Sequence, residues 1–226
     1  MNKSRIIAIG DIHGCYNTMV KLLKDERLNI DFQKDTVIFL GDYIDRGNFP
    51  LKTLLALKDL KAKHPNNVIC LKGNHEDMCC KYYFEGNRTW SWNGFERSHE
   101  QIESYENKEE LLCWIEDLPL RYETEHYCFC HSGNWSTDLI QRYNVSLCLW
   151  DRDWLRYNEY NNCDSGKPVI FGHTPHKEPT YYDENLCIDT GVCYPDRGGS
   201  LSAVILEPDG FVKTVSVDTD ARDISL

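Results

Sequence analysis

Three short polar motifs in the first third of the chain hold the residue types that bind divalent metal ions. They are Gly10-Asp11-Ile12-His13-Gly14, Gly41-Asp42-Tyr43-Ile44-Asp45-Arg46-Gly47 and Gly73-Asn74-His75-Glu76. Carboxylate oxygen, amide oxygen and imidazole nitrogen suit hard and borderline divalent cations. An apolar run typical of a buried strand directly precedes each motif. The spacing therefore predicts a metal site assembled on loops at strand ends.

Other common routes to catalysis are missing from the sequence. No cysteine is followed by arginine six positions later, which excludes a thiol nucleophile in a C-x5-R arrangement. Neither a Walker A run nor a G-x-G-x-x-G run occurs. Water activated by metal ions is therefore the candidate nucleophile.

The elements that must position these motifs alternate between strand and helix patterns. Apolar runs predict strands over 5–9, 36–40 and 68–71, and helical spacing of apolar residues marks 16–28 and 51–63 between them. This β-α-β-α-β pattern predicts right-handed crossovers and a parallel sheet. Ligands of such sheets bind at the carboxyl ends of the strands, where all three motifs fall.

The remainder of the chain is less regular. Residues 86–117 are aromatic and acidic and are predicted to form a helical excursion beside the site. From residue 120 the pattern is mostly strand, with predicted strands at 120–123, 126–130, 169–171, 185–189, 201–206 and 211–217. An irregular surface segment is predicted over 143–167 and a frayed acidic end over 218–226. Periodicity alone predicts one α/β domain over 1–226 with a β-rich second half.

Three further runs extend the pattern downstream: Cys130-His131-Ser132-Gly133, Trp150-Asp151-Arg152 and Phe171-Gly172-His173-Thr174-Pro175. Together with the first three motifs they resemble the metallophosphoesterase superfamily. Within it they are similar to the small bacterial and phage serine/threonine phosphatases of the phosphoprotein phosphatase branch. The resemblance spans residues 5–206. It implies the calcineurin-like fold, a four-layer αββα sandwich in which two mixed β-sheets lie face to face with helices outside.

The resemblance also implies a reaction and the residues that perform it. The reaction is hydrolysis of phosphomonoesters on proteins, chiefly at phosphoserine and phosphothreonine. Two divalent ions would be held by six ligands: Asp11 and His13 for the first ion, Asp42 as the bridge, and Asn74, His131 and His173 for the second. Mn²⁺ is the expected metal, with Fe or Zn²⁺ as alternatives.

Four more residues have implied catalytic roles. His75 would be the general acid that protonates the leaving oxygen, and Asp45 would fix its tautomer. Arg46 and Arg152 would clamp the phosphoryl oxygens and stabilise charge in the transition state.

The composition of the chain limits its possible binding partners and its possible location in the cell. The formal net charge of −11 argues against a nucleic-acid partner. A phosphorylated protein or peptide remains compatible, because two divalent ions and two arginines make the site locally positive. No apolar run approaches the roughly 20 residues of a membrane span, so no membrane partner is expected. The N-terminal residues lack a secretory pattern, which predicts a cytoplasmic location with reduced cysteines.

Two other functions stay open at this point. A symmetric diadenosine tetraphosphate hydrolase shares most of these motifs, but the resemblance implies that its second motif lacks the second Asp and its third reads GNHD. This chain has Asp45 and Glu76 at those positions, which favours the phosphatase. The other alternative is a catalytically inactive metal-binding interaction module. It is disfavoured because every expected position is filled.

Overall fold

The structure is a computed structural model that describes residues 5–135, 147–153, 155, 163–207, 210 and 212–224. Within these ranges the strands are β1 (Ile6–Ile9), β2 (Thr36–Phe39), β3 (Val68–Cys70), β4 (Arg121–Glu123), β5 (Cys128–Cys130), β6 (Val169–Phe171), β7 (Thr180–Tyr182), β8 (Asn185–Cys187), β9 (Ser200–Leu206) and β10 (Val212–Asp218). The helices are α1 (Tyr16–Leu23), α2 (Pro50–Lys63), α3 (Asn74–Glu85), α4 (Glu96–Glu103), α5 (Lys108–Glu116) and α6 (Leu147–Trp150). Short 3-10 helices lie at Thr89–Trp92, Pro195–Arg197 and Ala221–Asp223.

The strands form two five-stranded sheets. In the first, with the order β10-β9-β1-β2-β3, strands β1, β2 and β3 run parallel while β9 is antiparallel to β1 and β10. In the second, with the order β4-β5-β6-β8-β7, strands β5, β6 and β8 run parallel and the two edge strands are antiparallel. The predicted α/β class with two mixed sheets is therefore confirmed.

The parallel strands of the first sheet are nearly continuous apolar runs, so this sheet buries side chains on both faces, and one of these faces packs against the second sheet. Ala8 and Ile38 of the first sheet share one buried cluster with Phe129 and Ile170 of the second. The opposite face of the first sheet packs against helices α1 to α5 in a larger cluster. This arrangement holds the ends of the central strands of both sheets close together, where the polar motifs lie.

The described residues near the C-terminus pack against the start of α1, whereas the frayed end over 218–226 stays a prediction. Asp223 is fully buried, and its carboxylate accepts hydrogen bonds from the backbone and side chains of Asn17 and Thr18 at 2.6–2.9 Å. Cys15, at the N-cap of α1, makes no side-chain capping bond. Asp223 therefore satisfies helix donors that would otherwise lack a partner.

Three other predictions concern the segment 143–167, the state of the cysteines and the absence of a membrane span. Of the predicted irregular segment 143–167, the part that the structure describes holds α6 and Arg152, and the remainder lies outside the described residues. All eleven cysteines are described, and each is a free thiol. Among the helices of the described ranges, none has the length and apolar character needed to cross a membrane.

Candidate metal centre

The predicted metal ligands come together in one buried cluster on loops that follow five strands. These loops follow β1 with Asp11 and His13, β2 with Asp42, β3 with Asn74, β5 with His131 and β6 with His173. Every one of these side chains is buried. Residues far apart in sequence therefore converge at the carboxyl ends of the strands, as the sequence predicts.

The backbone of these loops adopts an unusual conformation. Five non-glycine residues of the site have positive φ: His13 (45°), Asp42 (54°), Asp45 (70°), Arg46 (69°) and His173 (66°). Residues with a Cβ seldom occupy this region, because the side chain crowds the backbone. Such conformations persist where the surrounding structure enforces them, and they concentrate at functional sites.

Backbone carbonyls orient two of the imidazoles toward the centre of the cluster. His13 Nδ1 donates to the Ile44 carbonyl at 2.9 Å, and His131 Nδ1 donates to the Leu40 carbonyl at 2.9 Å. Each bond leaves Nε2 facing the cluster, where it can serve as a ligand atom. The strand-end backbone thus selects the tautomer that binds a metal.

Asp42 lies between two groups of ligand atoms. One group contains His13, Asp42 and His75, the other contains Asp42, His131 and His173, and the ligand atoms within each group lie within 4.8 Å of one another. Asp42 Oδ2 is 3.5 Å from His13 Nε2, whereas Oδ1 is 3.3 Å from His131 Nε2. The two carboxylate oxygens therefore face different groups, as a bridging ligand requires.

Asn74 completes the second group. Its Oδ1 lies 2.9 Å from His131 Nε2 and 2.8 Å from His173 Nδ1. His173 Nε2 donates to the Trp150 carbonyl at 3.3 Å, which directs Nδ1 toward the cluster. One amide oxygen and two imidazole nitrogens thus converge beside Asp42.

Asp11 is buried nearby but lies outside both groups. Its carboxylate accepts the backbone N–H of His173 at 3.0 and 3.2 Å. A Cβ on Gly172 would lie 2.0 Å from Asp11 Oδ1, so only glycine allows this close approach. The implied pairing of Asp11 with His13 on one ion stays a prediction.

Asp189, which follows β8, adds a buried carboxylate that is not among the predicted site residues. Burial raises the pKa of Asp189 to about 6, although the backbone N–H of Gly191 donates to it. Burial, and next the charge of Asp189, raises the pKa of Asp11 well above its usual value. Carboxylates packed this closely in a buried site repel one another, and bound cations would relieve that repulsion.

Attraction between His131 and Asp42 raises the pKa of His131 and lowers the pKa of Asp42. Burial lowers the pKa of His131, but the charge of Asp42 and the hydrogen bond to it, together with the charge of Asp11, outweigh burial and raise the pKa to about 10. Burial raises the pKa of Asp42, yet attraction to His131 and His75 holds it well below its usual value. Without a cation, a proton on His131 therefore balances the charge of Asp42. A metal ion would compete for that position.

His75 and Asp45 form a buried pair beside the first group. His75 Nδ1 donates to Asp45 Oδ2 at 2.5 Å, which leaves Nε2 facing the cluster. The indole Nε1 of Trp90 donates to the same carboxylate oxygen at 2.7 Å. The Asp45 backbone N–H donates to Ser98 Oγ at 2.8 Å. Residues of the helical excursion thus hold the His75–Asp45 pair in place, Trp90 through its indole N–H and Ser98 through its hydroxyl.

Glu76 fixes the loop that carries Asp42. Its two carboxylate oxygens accept backbone N–H groups of Asp42, Tyr43, Ile44 and Gly73 at 2.8–3.3 Å. The side chain is fully buried. In the sequence Glu76 only helps to distinguish a phosphatase from a dinucleotide hydrolase, whereas in the structure it joins the second and third motifs.

The two arginines lie on opposite sides of the cluster. Arg46 Nη1 donates to His13 Nε2 at 2.6 Å, and Arg46 Nη2 donates to His75 Nε2 at 3.1 Å. Arg152 Nη2 donates to the His173 carbonyl at 2.8 Å. One guanidinium therefore borders the first group and the other borders the second.

The donor types fit two divalent metal ions. Imidazole nitrogens, carboxylates and an amide oxygen form two groups that share Asp42, which is consistent with a dinuclear site. A loaded site would use the Nε2 atoms of His13 and His131, Nδ1 of His173, Oδ1 of Asn74 and both oxygens of Asp42.

The chain matches a known protein family. The family model described as calcineurin-like phosphoesterase matches residues 4–202, so the chain belongs to this family and is a phosphoesterase. Serine/threonine-protein phosphatase 1 of Salmonella typhimurium is 27% identical over 209 residues, covering 89% of this chain and 91% of that protein. The family prediction is confirmed.

Solved structures share the fold. A protein serine/threonine phosphatase from Saccharomyces cerevisiae, with similarity to human phosphatase PP5, superposes with a TM-score of 0.71 at 18% identity, covering 97% of this chain and 81% of that one. A structure provisionally assigned as a diadenosine tetraphosphatase gives a TM-score of 0.70 at 18% identity, covering 95% and 94% of the two chains. At this identity the matches show fold alone. They do not separate the two activities.

Proposed function

We propose that this chain is a serine/threonine protein phosphatase that hydrolyses phosphomonoesters on proteins with two divalent ions, Mn²⁺ in the first instance. The observation that carries the proposal is the buried His75–Asp45 pair, held by Trp90 and directed at the cluster. A serine or threonine alkoxide is a poor leaving group and needs a proton as the ester bond breaks. The leaving group of a phosphoanhydride such as diadenosine tetraphosphate needs much less protonation. The acid pair therefore favours a phosphoprotein substrate over diadenosine tetraphosphate.

Each residue would contribute a defined part of the reaction. When bound, the divalent ions would lower the pKa of a water molecule and polarise the phosphoryl oxygens. Asp42 would be a ligand shared by the two groups, because its two oxygens face different groups. Arg46 and Arg152, on opposite sides, would bind the phosphoryl oxygens and stabilise their charge in the transition state. Once Arg46 binds the phosphoryl group instead of His75 Nε2, a protonated His75 would deliver the proton from Nε2 to the leaving oxygen, with Asp45 holding the ring.

Similarity to known phosphatases supports the same conclusion. The alignment with the Salmonella protein extends over nearly the full length of both chains, and that protein is a serine/threonine-protein phosphatase. Every residue that the reaction requires is present and buried or adjacent to the cluster, so an inactive module has no support in the site.

The substrate test compares kcat/KM with Mn²⁺ on phosphoserine and phosphothreonine peptides with kcat/KM on diadenosine tetraphosphate. We expect the peptides to be preferred. Preference for the dinucleotide would overturn the proposal and leave a phosphoesterase acting on nucleotides.

The acid role of His75 is tested by changing the leaving group. His75→Asn should reduce kcat on a phosphoserine peptide by about 10²–10⁴ and reduce it less on p-nitrophenyl phosphate, whose leaving group needs little protonation. The control is His126→Asn, which changes an exposed histidine outside the site. Equal losses on both substrates would remove His75 from the acid role.

A further inference from the structure

A cavity of about 320 Å³ opens beside the metal centre. Its walls come from the loop after β6, including Pro175 and Lys177, and from the loop after β8, including Gly191, Tyr194 and Arg197. These two loops also carry His173 and Asp189 of the site. The cavity therefore adjoins the site through these two loops.

The lining of this cavity is cationic on a strongly acidic protein. Lys177 and Arg197 line it, and none of its lining residues is an acid, although the chain has a formal net charge of −11. The acids next to them in sequence, Glu178 and Asp196, are not part of the lining. Across the described ranges, neither cation has an ion pair with a carboxylate, so both charges are available to a ligand.

His176 also lines the cavity but adds no charge near neutral pH. Its Nε2 lies 2.6 Å from the Tyr182 hydroxyl, and burial lowers its pKa below the usual value for histidine. The positive charge of the cavity at pH 7 thus comes from Lys177 and Arg197.

The ring of Tyr194 connects the cavity to the arginine of the metal centre. The Arg197 guanidinium carbon lies 5.3 Å from the ring centroid, and the Arg46 guanidinium carbon lies 5.7 Å from it. Arg46 in turn donates to His13 and His75. A phosphoryl group held by Arg46 and an anion in the cavity would be separated by little more than this ring.

That separation suits a peptide with two nearby anionic groups. An extended residue spans about 3.3–3.6 Å, so a ring flanked by two guanidinium groups corresponds to about two or three residues of peptide. A carboxylate and a second phosphate are both acceptors that lysine and arginine bind.

We propose that the cavity formed by Lys177, Tyr194 and Arg197 binds a second anionic group of the substrate, two or three residues from the phosphorylated residue. The group is a carboxylate side chain or a second phosphate, and the proposal rests on the proposed protein phosphatase function. The pocket would then select acidic or multiply phosphorylated sequences. Because this contact is remote from the reacting bond, it would lower KM and leave kcat nearly unchanged.

The test uses three phosphoserine peptides that differ only two and three residues to either side of the phosphoserine. These flanking positions carry alanine, glutamate or a non-hydrolysable phosphonate analogue of phosphoserine. We expect kcat/KM to be about tenfold higher for one or both anionic peptides than for the alanine peptide, mainly through KM, and the advantage to shrink at high salt. The anionic peptide with the larger increase in kcat/KM identifies carboxylate or phosphate as the preferred group.

The double variant Lys177→Gln/Arg197→Gln should lose this advantage and keep its activity on the alanine peptide. The matched control Lys24→Gln/Lys213→Gln removes two exposed positive charges outside the cavity lining and should keep the advantage. Equal turnover of all three peptides by the unaltered protein would overturn the pocket proposal alone, as would an advantage that persists in the double variant. Failure to hydrolyse even the alanine peptide would overturn the protein phosphatase proposal, and the pocket proposal with it.

Discussion

Replacing Trp90 with phenylalanine should weaken the acid pair without touching a metal ligand. The indole Nε1 donates to Asp45 Oδ2 at 2.7 Å, the same oxygen that accepts His75 Nδ1 at 2.5 Å. Phenylalanine keeps an aromatic ring against Tyr82 and Phe95, whose ring centroids lie 5.6 and 5.4 Å from that of Trp90. The change therefore removes one hydrogen-bond donor while most of the packing remains.

The size of the effect follows from the charge and burial of the acceptor. A hydrogen bond to a charged group contributes about 1.5–3 kcal/mol. If that free energy keeps Asp45 and His75 aligned with the leaving oxygen, its loss should lower kcat on a phosphoserine peptide by about 10- to 150-fold. On p-nitrophenyl phosphate the loss should be less than about threefold, because that leaving group needs little protonation.

The assay measures kcat on both substrates for Trp90→Phe and for the matched control Trp92→Phe. Trp92 is 84% exposed, so its replacement should change neither rate. Urea unfolding of both variants separates a loss of stability from a loss of alignment, and a stability loss of about 1–2 kcal/mol is expected for the buried change. Equal losses of kcat on the two substrates, or no loss on either, would refute a positioning role for Trp90.

Three further predictions test other parts of the structure. Asp42→Asn should lower the number of tightly bound ions from two to one or none by elemental analysis, and retention of two would contradict a bridging role. Because the pKa of His131 is raised to about 10, His131 is protonated near neutral pH and an ion must displace that proton; Mn²⁺ affinity should therefore rise about tenfold per pH unit between about pH 7 and 9. Calorimetry in two buffers that shows no proton release would contradict this. Asp223→Ala should lower the free energy of unfolding by about 2–4 kcal/mol through loss of the α1 cap. The exposed control Asp218→Ala should lower it by less than about 1 kcal/mol. Equal effects of the two changes would contradict the capping role.

The fold could be predicted from the sequence wherever local patterns determine it. Apolar runs predict strands β1 and β2, whose residues Ala8 and Ile38 lie between the sheets, and the resemblance supplies the pairing of the two sheets. Strand β7 (Thr180–Tyr182) was not predicted; in the described part of the chain it pairs with β8 at an edge of the second sheet. Asp223 was missed because its partner Thr18 lies 205 residues away, a contact that no local pattern encodes.

The site could be predicted for its ligands but not for their supports. His13, Asp42 and His131 lie in motifs whose residue types and strand-end positions indicate metal binding. Trp90 and Glu76 support the site through an indole N–H and through backbone N–H groups, and neither interaction leaves a spacing signal in the sequence. Such supports become visible only when the loops are folded against one another.

The measurement that tests the central proposal most directly is turnover as a function of metal content. Protein stripped of metal is titrated with Mn²⁺, and bound ions and turnover of a phosphoserine peptide are measured on the same samples. Asp42 between two ligand groups predicts that turnover rises steeply as the second ion binds and reaches its maximum at two ions per chain. Full turnover with one ion or with none would contradict a dinuclear protein phosphatase.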